Sequence, residues 1–275
     1  MCATLRALAA RAKILKRGVT VRPNKIKQMW RDGKFVTLGW LSVSHGFTAE
    51  VMARQGFDAL CVDMQHGMTD MNDVWPMLQA ISQTDTVPVV RVPWNDPATI
   101  MKVLDFGAYG VIVPLVNTAE DAAKAVAACR YPPVGMRSSG PVRAVHYGRA
   151  DYVANANNEI VVMAMVETKE GLANLDKICA TPGLDAVYIG PSDLSFALGL
   201  APRGDNPEPV HIATCDRIRD AAHKHGIKAV MHCASASFAA GAVKRGFDMV
   251  MLTSDLASMV AGARRQLDDL KAATA

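Results

Sequence analysis

From Phe35 onward the chain alternates short β-branched apolar runs with stretches whose apolar residues recur at helical spacing. Eight runs are present: Val36–Leu41, Ala59–Met64, Val87–Val92, Gly110–Leu115, Ile160–Glu167, Ala186–Pro191, Lys228–Cys233 and Asp248–Ser254. They are almost continuously apolar, the pattern of parallel strands covered on both faces. The segments between them carry helix signals. Thr48–Gln55 stops at a Gly-Phe pair, and Thr118–Cys129 gathers Ala119, Ala122, Ala123, Val126 and Ala127 on one face. Pro209–His225 ends in cations followed by Gly226, and Ser235–Arg245 stops at Gly246 in the same way. Eight strand–helix units predict a (β/α)8 TIM barrel in a single domain spanning residues 24–275. The competing arrangement is an open doubly wound sheet, whose dinucleotide form carries G-x-G-x-x-G after the first strand. Neither that motif nor G-x-x-x-x-G-K-[ST] occurs.

One connection departs from the regular spacing. About thirty residues separate Cys129 from Ile160, beginning RYPPVGMRSSGPVRAVHYGR, and a connection of that length is functional or disordered as a rule. Within it, GMRSSG is a candidate anion wrap through Arg137 and backbone donors, or else a rigid turn.

Composition adds limits. With 275 residues the chain can bury about three quarters of its surface, so folding needs no disulfide or metal staple. The net charge of +4 is too small to announce nucleic acid, and no apolar run is long enough for a membrane span. The charge is also uneven. Met1 to Arg31 hold nine Lys or Arg and no acid; removing those nine from the 30 basic residues leaves 21 against 26 acidic. Arg6, Arg11 and Lys13 interrupt the apolar stretch a secretory signal requires. Residues 1–23 therefore read as a basic extension, disordered or processed. Six scattered cysteines without a C-x-x-C pair read as reduced thiols in a cytoplasmic setting.

In a (β/α)8 barrel the chemistry gathers where the strands end. The polar residues there are Trp40 and Ser42; Asp63, Gln65 and His66; Arg91; Glu167; Ser192 and Asp193; His232; and Thr253, Ser254 and Asp255. Glu167 and Asp193 end consecutive strands. Two carboxylates so placed repel unless a cation lies between them, and a hard ion such as Mg²⁺ takes one or two carboxylates while keeping sites for water and substrate. Arg91 lies inside an apolar run and must be paired, either with a barrel carboxylate or with an oxygen of the substrate. His66 is a candidate for proton transfer, which imidazole performs near neutral pH, and it needs an orienting acid; Asp105 and Asp63 are the candidates. His232 and Cys233 resemble a soft-metal pair without further ligands nearby. No run ends in a lysine, which disfavours Schiff-base chemistry.

Over roughly residues 24–267 the chain resembles the HpcH/HpaI aldolase family. The likeness rests on WRDGKFVTLGWL, AEVMARQGFDALCVDMQHG, VRVPWNDPATIMKVLDFGAYGVIVPLV, RYPPVGMRSSG, VETKEG and GLDAVYIGPSDLSFALG. It implies a barrel in a homo-oligomer, usually a hexamer built from dimers that exchange a helix. It implies a Mg²⁺, Mn²⁺ or Co²⁺ ion held by Glu167 and Asp193, with Arg91 gripping the pyruvyl oxygens. His66 takes the role of catalytic base with Asp105 as its partner. Trp40 lines the pocket, and the amides around Ser192 and Asp193 bind the pyruvate carboxylate. The implied reaction is reversible retro-aldol cleavage of 4-hydroxy-2-oxo acids to pyruvate, or hydroxypyruvate, and an aldehyde through a metal-stabilised enolate. The partners are thus small molecules, with no nucleic acid and no membrane. Two departures fall where the aldehyde end should lie: Asp63-Met64-Gln65-His66 stands where many members read D-G-E-H, and Ser138 replaces a glycine. The alternatives are a CoA-ester lyase of the malyl-CoA or citryl type and a non-catalytic keto-acid-binding barrel.

Overall fold

The computed structural model describes residues 21–274. Its eight strands are β1 (Val36–Leu41), β2 (Ala59–Asp63), β3 (Val87–Arg91), β4 (Gly110–Val113), β5 (Val161–Met165), β6 (Ala186–Ile189), β7 (Lys228–His232) and β8 (Met249–Ser254). All pair in parallel, in sequence order, and β8 closes onto β1. The predicted barrel is therefore present, with each strand inside its predicted run or at its edge. Most runs overshoot their strands by one or two residues, because the apolar signal continues into the first residues of the following turn; at β5 it runs past Met165 as far as Glu167. β2 through β6 are buried throughout, which explains why their sequences do not alternate.

Local chemistry sets the helix ends. Thr118 caps helix Ala119–Cys129 through a reciprocal pair with Asp121. Gly226 and Gly246, at φ 72° and 93°, adopt the left-handed backbone that stops the helices before β7 and β8. The first helix among the described residues, Lys25–Arg31, buries Ile26 and Trp30, and the Trp30 indole donates to the Asp248 carbonyl. It therefore covers the N-terminal end of the barrel and leaves the strand C-termini open. Of the expected basic extension, residues 1–20 lie outside the described residues. Arg22 packs against the barrel, its guanidinium 4.4 Å from the Tyr147 ring and its amide donating to the Gly148 carbonyl.

The long connection is neither loose nor an anion wrap. It folds into helices Ala144–Gly148 and Tyr152–Glu159. Arg137, read as a candidate anion ligand, is instead fully buried: it donates to Asp105 (2.9 Å) and to the Tyr152 hydroxyl (3.0 Å) and stacks on Tyr131. A guanidinium needs that many partners to leave water, and aromatic faces supply part of them.

Candidate active site

β2 and β3 run in register with Asp63 opposite Arg91, so an acid and a base emerge side by side at the mouth. The Asp63 carboxylate takes the Arg91 fork through Nε (2.7 Å) and Nη2 (2.6 Å), the Trp40 indole N–H (3.2 Å) and the Gln65 amide (3.0 Å). Burial works to push the Asp63 carboxyl up, but the Arg91 bonds and charge outweigh it and hold the group below its ordinary range. The Arg91 guanidinium lies 4.8 Å from the Trp40 ring centroid. Both partners considered for Arg91 are compatible with this arrangement. A barrel carboxylate fixes one edge of the fork, while Nη1, unbonded among the described residues, belongs to a side chain that lines the mouth.

Across the mouth, Glu167 follows β5 and is buried. Its Oε1 accepts the Leu115 amide at 3.1 Å, whereas Oε2 is buried with no partner among the described residues. Leu115 reaches it from the left-handed region, at φ 53°, a conformation a leucine adopts only under constraint. Burial, reinforced by the charge of Asp193, pushes the Glu167 carboxyl up to about 7. Asp193 stands exposed in the first turn of helix Pro191–Ala197, and Gly190 caps that helix without a side chain. A Cβ on Gly190 would lie 2.1 Å from Glu167 Oε2, so the absence of a side chain keeps the orphaned oxygen clear. An unpartnered buried carboxylate oxygen, a second carboxylate on the adjoining strand end and an open cradle between them fit a hard divalent cation. No group of three or more His, Cys, Asp or Glu converges among the described residues, so water and substrate would complete the shell.

The mouth is a cavity of about 290 Å³ lined by Trp40, His66, Arg91, Ser192, Asp193 and His232, among others. His66 is exposed on the turn after β2, its amide 3.4 Å from Asp63 Oδ1. Asp105, its expected partner, is not brought to it within one chain. It closes helix Pro97–Asp105 on the outer flank, bonds Arg137, and borders a separate groove with Lys102, Phe106 and Arg143. A helix that packs back along its strand ends at the barrel's far rim, so the last residue of Pro97–Asp105 lies away from the mouth. Asp63 is the acid adjoining His66, although its carboxylate is committed to Arg91. His232 and Cys233 form no metal pair: Nδ1 of His232 meets the Tyr188 hydroxyl, and the Cys233 thiol faces the Met231 carbonyl. The five described cysteines are free and buried. Nothing in the sequence marks Leu115 or Tyr188 as part of the site. Gly190 carries a signal, as the glycine before the P-S-D-L helix start.

Fold and mouth define a (β/α)8 barrel with a polar site where its strands end, and its relatives make it an aldolase, a carbon–carbon lyase. The chain belongs to the HpcH/HpaI aldolase/citrate lyase family, whose model matches residues 37–262. It is 42% identical over 250 residues to the hydroxypyruvate/pyruvate aldolase of Rhizorhabdus wittichii, covering 90% of this chain and 99% of that protein. It is 35% identical over 254 residues to the 5-keto-4-deoxy-D-glucarate aldolase of Escherichia coli O157:H7, covering 91% and 98% respectively. A solved HpcH/HpaI family protein from Burkholderia cenocepacia superposes with a TM-score of 0.84 at 33% identity, over 90% of this chain and 99% of that one. The family depends on a divalent metal. Among the described residues no helix is long and apolar enough to cross a membrane.

Proposed function

We propose that this protein cleaves 4-hydroxy-2-oxo acids reversibly to pyruvate, or hydroxypyruvate, and an aldehyde. The observation that carries this reading is the buried, partnerless Oε2 of Glu167 beside Asp193 and the pinned Arg91. Glu167 and Asp193 would hold Mg²⁺, Mn²⁺ or Co²⁺, which when bound supplies Lewis-acid stabilisation of negative charge on a keto oxygen. The protein's own groups do the rest. Helix Pro191–Ala197 has no side-chain cap, so the Ser192 and Asp193 amides are donors for the substrate carboxylate. Arg91, prevented from swinging by Asp63, presents Nη1 to the keto oxygen, where charge grows as the C–C bond breaks. Trp40 forms the apolar wall. His66 accepts the C4 hydroxyl proton on cleavage and returns it on synthesis.

Asp105 retains a role at His66 only if a second copy of the chain brings it there, consistent with a homo-oligomer. The aldolase names of the relatives favour this reading over a CoA-ester lyase or a non-catalytic barrel.

A retro-aldol screen coupled to lactate dehydrogenase, run with each of the three metals, tests the reading. Arg91→Ala should lower kcat/KM by about 10²–10³-fold and His66→Ala by about 10²–10⁴-fold. Full activity after exhaustive chelation, or in either variant, contradicts it.

A further inference from the structure

A buried hydroxyl fixes the state of a histidine that the reaction above leaves unused. His232 ends β7 and lines the mouth together with Trp40 and Arg91. Its Nδ1 lies 2.8 Å from the hydroxyl of Tyr188, which is fully buried and has no other hydrogen-bond partner among the described residues. The tyrosine proton can go only to Nδ1. Were Nδ1 itself protonated, the Tyr188 O–H would be a buried donor without an acceptor, an arrangement folded proteins avoid. With Tyr188 donating, nothing but spare lone pairs goes unused. Nδ1 is therefore the acceptor, and the ring proton resides on Nε2.

Nε2 bonds nothing among the described residues, yet it is not one of the atoms sealed away without a partner; it opens on the cavity. Burial and the positive charge of Arg91 hold the imidazole down at about 4, so it stays neutral at physiological pH. The ring is set edge-on to Trp40, with centroids 5.0 Å apart, and to Tyr188, at 6.1 Å. The result is an oriented, uncharged N–H donor suited to recognising an oxygen, not to moving a proton.

The oxygen it meets follows from its level in the barrel. His232 and Arg91 end their strands and share Trp40, whereas His66 comes from the turn beyond β2. A keto acid resting on Arg91 would lie at the level of His232, leaving the open side for the aldehyde. We propose that His232 is a specificity-determining residue whose Nε2–H donates to a hydroxyl on C3 of the 2-oxo acid, favouring hydroxypyruvate-type donors over pyruvate. The pyruvate methyl cannot accept this bond and leaves the N–H facing carbon. The inference rests on the proposed function, since it takes the mouth to be a keto-acid site.

The test is the ratio of kcat/KM for hydroxypyruvate to that for pyruvate, with a common aldehyde, in the wild type and three variants. His232→Phe should lower the ratio by about tenfold or more, and His232→Gln, which retains an N–H donor, should keep it within about threefold. Tyr188→Phe, which frees the tautomer, should fall between them. A His232→Phe ratio within about twofold of wild type overturns the inference. Should that variant fail to fold, nitrogen-15 NMR of the histidine-labelled wild type decides: the Nε2–H tautomer at His232 supports the inference and the Nδ1–H tautomer overturns it. A wild type that turns over neither donor defeats the proposed function, whereas an unchanged ratio in an active His232→Phe defeats this inference alone.

Discussion

The carboxylate of Glu167 is the most constrained group at the mouth. One oxygen is fixed by the amide of a left-handed leucine, and the other is buried under a glycine, without a partner among the described residues. Gly190→Ala would place a methyl group 2.1 Å from Oε2, so the carboxylate must move. Titration calorimetry should show Mn²⁺ affinity lowered by about tenfold or more, the scale on which metal sites respond to loss of support; unchanged affinity contradicts this. The same carboxylate couples stability to pH. Its pKa is about 7 when folded against 4.5 for a free side chain, so the folded state holds the proton more tightly. Stability is therefore lost as pH rises from about 4.5 to 7, on the order of 2–4 kcal/mol in metal-free protein. Urea denaturation in chelator should show wild type losing stability relative to Glu167→Gln across that window, with Mn²⁺ restoring it; parallel profiles would contradict the buried charge. Glu167, Asp193, Arg91 and His66 were legible in the sequence because barrel strands deliver their last polar residues to one rim. Leu115 and Tyr188 were not, because nothing in an apolar run marks which backbone amide or hydroxyl turns inward.

At the scale of elements, the apolar runs located every strand, since burial on both faces leaves an unbroken hydrophobic signature. The segment between Cys129 and Ile160 carries a weaker signal. Its prolines, glycines and arginines have loop composition, yet aromatic stacking on Arg137 and the packing of Tyr152 order it. Helical spacing marks elements well, but it does not reveal what they pack against. The terminal helix Asp255–Thr274 shows this. Asp255 is buried and receives the Ser42 and Val43 amides, tying the helix to the strand end of β1. Every residue from Leu256 to Thr274 is exposed, including Leu256, Met259, Val260, Leu267 and Leu270. Those five recur at helical spacing, and so long an apolar stripe left in water is unfavourable. A second copy of the chain is the proposed cover. Light scattering should show an oligomer, and Val260→Glu combined with Leu267→Glu should shift it toward monomer; a monomeric wild type contradicts this.

For the whole molecule, the closed sheet places residues distant in sequence on one rim. Trp40, His66, Arg91, Asp193 and His232 border a single cavity, with Glu167 buried beside Gly190. The basic character of the chain resides in its first 31 residues, so net charge says little about the barrel. Within one chain the assembly leaves Asp105 on the outer flank, a separation that linear spacing alone could not show. The proposed chemistry depends on a divalent cation between the carboxylates that follow β5 and β6. The most direct measurement is the anomalous difference map of a crystal grown with Mn²⁺ and oxalate. A manganese peak bonded to both Glu167 and Asp193, with oxalate reaching Arg91, is the predicted result. A mouth without manganese, or a peak bonded to neither carboxylate, would contradict the account.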